Sequence, residues 1–443
     1  MQIVIVGAGD VGTHIAENLA GSHDISVVDR DPERVDDLES SLGVTGVAGD
    51  GRSLDALDTA GIRDAEIVIA STDDDAVNVM VCGAARNVTD AYTIARAKSA
   101  DLDETWEHFE GALGIDLMLS VDRLAAESLV RTVAVPGALA VETFVDGIVE
   151  MAEFAVVEDA PIAGKTVEEA DEYPSLTFAG VLRDGDVLIP SGDTPIEVGD
   201  RVVVIGSPSS IKRFAKRHTA SDALDTDDDV VVVGGDEVGT RIAEYLEDGG
   251  YAPRLIDHDE ERVAALAEHL PNTTVIEGDV RSFDCLADSD IGDADLLIGA
   301  VDDETNYVLA LLARGMGVSY TAAVVDEADY TDLFEAAGVD VVVQPHSVVA
   351  QQTTRFTRGY TDETAMLERD SAEVLDITVE SGSVLAGESL RDVALDLPDG
   401  FVVGAVVRSG SLQTPRGGTI IQTGDHVVAF VDTDDLDEVA AAL

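Results

Sequence analysis

Apolar and polar positions follow two rhythms along this chain, and the pair of rhythms occurs twice. Through residues 1–136, the apolar runs QIVIVG, DISVVD, EIVIAS, AYTIAR and DLMLSV are separated by longer stretches with helical spacing. Near-continuous apolar runs suit strands of a parallel sheet covered on both faces. Between them, Val11, Ile15 and Leu19 form a one-sided stripe. Val35, Leu38 and Leu42 form another behind Asp31-Pro32, an N-cap residue followed by proline at the first helical position. The pattern predicts a doubly wound α/β domain. Residues 137–218 read differently. Short strands (MAEFAVV, TFAGVLR, DVLIP, DRVVVIG) are broken by turn-formers at Gly164, Asp184-Gly185, Ser191-Gly192 and Gly199-Asp200, and one short helix is expected around residues 166–170. This predicts a small α+β module. The acidic stretch TASDALDTDDD, residues 219–229, reads as a linker.

At residue 230 the chain restarts. MQIVIVGAGDVGTHIAENLA is echoed by VVVVGGDEVGTRIAEYLE, VVDRDPERVDDL by LIDHDEERVAAL, Gly49-Asp50 by Gly278-Asp279, and AYTIAR by SYTAAV. In the small modules GKTVEEA returns as GESLRDV, and VGDRVVVIG as TGDHVVAFV. Solenoid units recur every ~20–50 residues, so this spacing marks a duplicated domain pair. The predicted architecture is α/β: two Rossmann-like, doubly wound parallel-sheet domains at 1–136 and 230–362, each followed by a small α+β module at 137–218 and 363–443.

Charge changes the picture. The chain carries 27 Lys and Arg against 89 Asp and Glu, a formal charge of −62, and the acids are spread along its whole length. In dilute salt such a surface repels itself; at ~1 M salt the Debye length falls to about 3 Å and the repulsion is largely screened. A cytoplasm of molar salt, as in a halophilic archaeon, is the expected setting. Nucleic acid is excluded as a partner, because phosphate binding needs clustered Lys and Arg. No run reaches the ~18–20 apolar residues of a membrane helix, and the first residues already read as a strand rather than a signal peptide, so a soluble cytoplasmic protein is expected. Cys82 and Cys285 occupy matching places and read as buried structural thiols.

The candidate chemistry lies in the first loop. Gly7-Ala8-Gly9-Asp10-Val11-Gly12 fits G-x-G-x-x-G, directly after a strand and opening a helix, with Asp29 at the end of the second strand. Gly7 permits the tight turn, Gly9 lets a pyrophosphate approach the backbone, and Gly12 lets helix and sheet pack closely. The helix N-terminus offers free N–H groups and partial positive charge to phosphates. Asp29 would accept hydrogen bonds from a ribose and disfavour a 2′-phosphate, which selects NAD(H) over NADP(H); Arg30 beside it could meet such a phosphate. In the second copy the middle glycine has become Asp236, whose bulk and charge oppose a pyrophosphate, while Asp257 keeps the ribose position. The first-copy segment from Thr72 to Asn78 follows the fourth strand, at the sheet edge where ligands lie. Its counterpart, 300–306, keeps Asn306 and loses the threonine. Arg96 ends the fifth strand of copy one, where copy two has Val324; it reads equally as a ligand contact and as a surface ion pair. Asn78 reads as a cap at the helix start. His218, His258 and His426 stand apart from Cys or paired carboxylates and are expected in exposed polar roles. No catalytic set and no metal site is assigned.

The order of domains, with GAGDVG and Asp29, the Gly49-Asp50 turn and TDDDAVN, resembles the TrkA family of regulatory subunits of Trk-type potassium uptake systems, built from tandem RCK (KTN) N-terminal and C-terminal domains. The resemblance covers essentially the whole chain. It implies binding of NAD(H), and of ATP or ADP at the same type of site, around Gly7, Ala8, Gly9, Asp10, Val11, Gly12, Asp29, Arg30, Asp50, Thr72 and Arg96. It also implies a homo-oligomeric ring, a tetramer, set against a membrane-embedded potassium-translocating subunit whose gate the ring controls. Asp236 and Val324 depart from the family pattern. The alternatives are an RCK-type regulator of another cation channel or antiporter, and an NAD-dependent oxidoreductase; the roughly 80 residues after each α/β domain are too few and too turn-rich for the latter's substrate domain.

Overall fold

The computed structural model describes residues 1–21, 23–108, 112–135, 137–183, 186–218, 224, 226–282, 289–358, 364–366, 372–393, 397–398, 400–435 and 439. Cys285 and most of the linker at 219–225 lie outside them.

Six strands open the chain: β1 (Gln2–Val6), β2 (Asp24–Asp29), β3 (Thr45–Ala48), β4 (Ile67–Ala70), β5 (Tyr92–Ala97) and β6 (Leu117–Ser120). They form one sheet in the order 3-2-1-4-5-6, every pairing parallel. Helices α1 (Asp10–Leu19), α2 (Pro32–Leu42), α3 (Leu54–Thr59), α4 (Asp75–Val88), α5 (Ala100–His108) and α6 (Val121–Val133) connect and follow the strands. The expected stripe of α1 is buried at Val11, Ile15 and Leu19, and Asp31 caps α2 by accepting from the Glu33 N–H. β3 is a short, half-exposed edge strand, which is why it does not stand out as an apolar run.

The first small module is an antiparallel sheet of β7 (Ala138–Phe144), β8 (Val149–Ala155), β9 (Leu176–Arg183), β10 (Asp186–Leu188) and β11 (Arg201–Gly206), ordered 10-9-11-8-7, with α7 (Val167–Ala170) and α8 (Pro208–His218). Thr166 and Glu169 form a reciprocal capping box at α7, at the place where a short helix is expected.

The second half repeats both layouts. β12 (Val230–Val233), β13 (Arg254–Asp257), β14 (Thr274–Glu277), β15 (Leu296–Gly299), β16 (Tyr320–Val324) and β17 (Val341–Val343) are ordered 14-13-12-15-16-17. Their helices are α9 (Glu237–Asp248), α10 (Glu260–His269), α11 (Asp303–Met316), α12 (Ala328–Ala337) and α13 (Pro345–Arg358). The last module holds β18 (Thr364–Met366), β19 (Ala372–Thr378), α14 (Leu390–Val393), β20 (Phe401–Arg408), β21 (Ser411–Gln413) and β22 (His426–Asp432), with its strands in the order 18-19-22-20-21.

The two halves interlock. α6 lies against α9, β16 and β17 of the second copy, and α13 lies against α1 and α6 of the first. Ala125, Ala126, Leu129 and Val133 of α6 are buried in the second sheet's core. Val349 and Ala350 of α13 are buried in the first sheet's core beside Val121 and Leu124. The small modules pack face to face through Phe144, Met151, Val203 and Ile205 against Val374, Val407, Val428 and Phe430. Glycines allow the approach: a Cβ on Gly180 would sit 2.5 Å from the Phe430 ring, and one on Gly404 2.5 Å from Ile205.

His218 departs from expectation. It is 1% exposed, because the apolar face of α8 carries it into a ring cluster with Tyr173 and Phe214, and burial pulls its pKa down to about 4. The His258 and His426 side chains are 63% and 43% exposed, respectively. Cys82 is a buried free cysteine whose thiol is pushed up to about 12 by desolvation.

Leu129→Ala tests the interlock. Loss of a fully buried side chain from the second core is expected to cost about 2–4 kcal/mol, read as a lowered unfolding midpoint in molar KCl. An unchanged midpoint would mean that α6 does not complete that core.

Candidate functional site

A cleft opens at the carboxyl ends of β1, β2 and β4, where the strand order reverses. Of the candidate residues, Gly7, Gly9, Asp29, Arg30, Asp50 and Thr72 line it, together with Arg34, Arg52, Ser71, Asp74 and Val77. Ala8 is buried and donates its N–H to Asp29 Oδ2 at 2.7 Å. Asp10, Val11 and Gly12 begin α1. Arg96 is not among the lining residues; its Nη1 is 2.9 Å from Asp73 Oδ1 and its side chain is 11% exposed. Arg34 and Arg52 escape a motif reading, although the repeat retains both, as Arg262 and Arg281.

The three motif glycines differ in what requires them. Gly7 has φ +110°, and a Cβ there would meet the Ser71 and Thr72 backbone at 2.9 Å. A Cβ on Gly12 would collide with the Gly7 carbonyl. A Cβ on Gly9 would meet only Arg34 Nη1, at 3.7 Å. The fold therefore does not need a glycine at position 9; the space above it is open. Gly9 is also the N-cap of α1 and contributes no side-chain hydrogen bond, so the helix presents free N–H groups to the cleft. At one end, Asp50 accepts from Arg52 Nε at 3.0 Å and Nη2 at 2.7 Å, which holds its carboxyl well below the usual carboxylate range. Asp29 accepts from Ala8 and from the Asp31 N–H at 2.8 Å, and stays part-exposed.

Asn78 is not the cap. Asp74 caps α4, accepting from the Val77 N–H. Asn78 falls on the inner face of the first turn, fully buried. It accepts from Thr72 N at 2.9 Å and Oγ1 at 2.7 Å, and donates to the carbonyls of Thr72 and Arg96, both at 2.9 Å. It thus ties the ends of β4 and β5 together.

Residues 3–120 and 230–345 match the TrkA-N domain, and residues 151–219 and 374–443 the TrkA-C domain. The chain belongs to the TrkA family. It is 30% identical to the Trk system potassium uptake protein TrkA homolog of Archaeoglobus fulgidus, over 99% of both chains. It is 32% identical to Trk system potassium uptake protein TrkA of Halomonas elongata, over 97% of this chain and 96% of that one. Among solved structures, the GsuK channel bound to NAD superposes with a TM-score of 0.63 at 21% identity, over all of this chain and 79% of that one. The GsuK likeness bears on fold, and the fold is that of RCK domains.

Within this TrkA-family chain the second loop has closed on itself. Asp236 replaces Gly9 as N-cap and accepts from the Gly239 N–H at 3.2 Å, so a carboxylate of the protein takes an N–H that in the first copy faces the cleft. Asp257 is 4% exposed. It accepts from Gly235 N at 2.7 Å and Asp259 N at 2.8 Å, and Arg262 Nη1 lies 3.4 Å from it. The equivalent Arg34 pairs instead with Asp31. A Cβ on Gly235, where copy one has Ala8, would meet Leu266 at 2.7 Å. The second cleft is smaller than the first. The loop after β15 is also one residue shorter: Val301 N donates to Asn306 five positions on, whereas Thr72 N donates to Asn78 six positions on. Val301 therefore stands for Thr72, and Asp73 has no counterpart.

The exchanged helices bring the two loops together. Asp122, in the first turn of α6, lies in the field of Glu237 and Asp236 from copy two and of Arg96 and Lys98 from copy one. Burial first, then the two carboxylates, push its pKa from the ordinary 3.8 to about 6. An acid whose folded pKa is raised contributes stability that is complete below its unfolded pKa and is lost as pH rises through the folded one. Asp122→Asn is therefore expected to raise stability above pH ~6, by ~1–2 kcal/mol after allowance for partial exposure. The gain should vanish below pH ~4. Unfolding midpoints of both proteins across this pH range check it, and a gain independent of pH would remove the titration as its cause.

Proposed function

We propose that this chain is a nucleotide-sensing regulatory subunit of a potassium uptake system. It binds the adenosine diphosphate part of NAD(H), ATP or ADP in the first cleft. It acts in the cytoplasm as a homo-oligomeric ring, a tetramer, on a separate membrane-embedded transporter subunit. No helix among the described residues is long and apolar enough to cross a membrane, so the translocating element is assigned to a partner. The family relatives are potassium uptake proteins by name, and one structural neighbour is a channel bound to NAD. The role is regulatory rather than catalytic.

One observation carries the nucleotide reading. The first copy leaves a helix N-terminus uncapped above open space at Gly9, with Asp29 and Asp50 at one end, while the second fills the same position with its own Asp236. In this reading Gly7, Gly9 and the N–H groups of α1 from Asp10 to Gly12 receive the pyrophosphate. Asp29 and Arg30 flank the ribose, and Asp50 and Thr72 close the two sides. The second copy is a silent partner with a built-in anion. A nucleotide moves the ring only through its different affinity for two ring shapes. NAD(H), ATP and ADP share the anchored part and differ beyond it, so one site can favour different states.

Calorimetric titration in ~2–3 M KCl, where the acidic surface is screened, should find one site per chain. Gly9→Asp should keep the fold, since its Cβ meets only Arg34, and weaken binding by ~100-fold or more, the cost of a carboxylate beside a phosphate. Asp236→Gly alone should not create a second site, because Arg262 still covers Asp257. Two sites per chain in the parent protein would contradict the silent second copy; no binding of any of these nucleotides would refute the sensor.

A further inference from the structure

The first cleft does not end at Asp74. A second open recess shares Asp73 and Asp74 with it and continues past Asp75 to Lys98 and Ser99, and its far wall is Glu237 of the second copy. The strand order explains the direction. β2 and β3 lie on one side of β1, β4 and β5 on the other. A dinucleotide with one ribose at Asp29 and its pyrophosphate at the start of α1 must send its other half over β4 and β5. That path leads to the joint between the two copies. Asp75 is fixed there, accepting from the N–H groups of Lys98 at 2.8 Å and Ser99 at 2.9 Å. Beside it Arg96 holds Asp73, its Nη1 2.9 Å from Oδ1, while its Nε is buried without a partner among the described residues. Glu237 stands at the first residue of α9, held toward copy one by the burial of α6 against α9.

We propose that Glu237 is a specificity-determining residue for the nucleotide bound by the first copy, reading the charge of the ligand's far half. This rests on the nucleotide-sensor reading above. The recess is lined by the carboxylates of Asp73, Asp74, Asp75 and Glu237 together with Lys98, and Asp73 is paired with Arg96. An oxidised nicotinamide ring carries a positive charge and a reduced one is neutral, so the recess favours the oxidised dinucleotide. A ligand that stops at its phosphates does not reach Glu237. The second copy, silent as a binding site, becomes a wall of the first copy's site. The redox state of the ligand is then felt across the joint between the two halves.

The test is titration of the full chain in molar KCl with NAD+, NADH and ADP, for the parent protein, Glu237→Gln and Glu237→Asp. The expected result is a preference for NAD+ over NADH in the parent that falls roughly three- to tenfold in Glu237→Gln, the effect of removing one nearby charge. Glu237→Asp should retain most of the preference, and ADP affinity should be the same in all three. An NAD+/NADH ratio unchanged by Glu237→Gln, or an equal shift for ADP, would overturn the role of Glu237 while leaving the sensor reading intact. Failure of the parent protein to bind any of the three would overturn both.

Discussion

Neither α/β half of this molecule closes its own core. The apolar face of α6, coded in the first half, is buried against the second sheet, and α13 returns the exchange by placing Val349 and Ala350 under the first. Burial of that apolar surface, at about 25 cal/mol per Å², fixes the distance and angle between the two sheets. It also fixes which loops face each other. The glycine loop of copy one, its neighbour after β4 and the start of α9 meet because the exchanged helices leave them no other place. The small modules add a second lock, packed so closely that Gly180 and Gly404 have no room for a side chain.

On this frame the duplication has been put to two uses. A helix N-terminus within a βα turn needs an acceptor for its free N–H groups. The first copy leaves that need open to solvent and to a ligand, and the second meets it internally with Asp236. Around it the changes are concerted. Arg262 turns onto Asp257, Leu266 leans into the loop against Gly235, and the segment after β15 loses a residue. A single substitution at the loop could be drift. Several adjustments that converge on a smaller, self-satisfied cleft describe a structural role, in which the second copy presents carboxylates outward to the joint.

Much of this is legible in the amino-acid sequence, for identifiable reasons. Continuous apolar runs mark buried parallel strands whatever their neighbours, and the roles of Gly7 and Gly12 follow from local backbone geometry. Partners in space are another matter. The stripe of α6 states that one face is buried and cannot state which sheet buries it. Asn78 stands at a helix start, where capping is the default, but the helix begins at Asp75 and turns it inward to bridge two strands. His218 reads as one more polar residue in a basic stretch, and only the packing of α8 on Tyr173 and Phe214 makes it a core residue. Arg34 and Arg52 carry no motif. The one signal for them is that the second copy keeps both, and that copy has bent the first of the pair to a different use. The missing counterpart of Asp73 hides in a run of acids that aligns by eye in either register.

The helix exchange also bears on how such a chain is made. The first sheet, its connections and α6 leave the ribosome early, yet the core beneath α1 lacks Val349 and Ala350 until residues far into the second half have been added. At ~5–20 residues per second the wait is roughly 10–40 s. For that interval the nascent first domain carries an uncovered apolar face on α1, and α6 offers another to a sheet that does not yet exist. Two copies of similar surface, each able to accept the other's helix, stand in one growing chain and in every neighbouring one. The same exchange that joins the halves of a finished molecule can join two unfinished molecules, so correct pairing depends on the tether within a chain outcompeting the concentration of its neighbours.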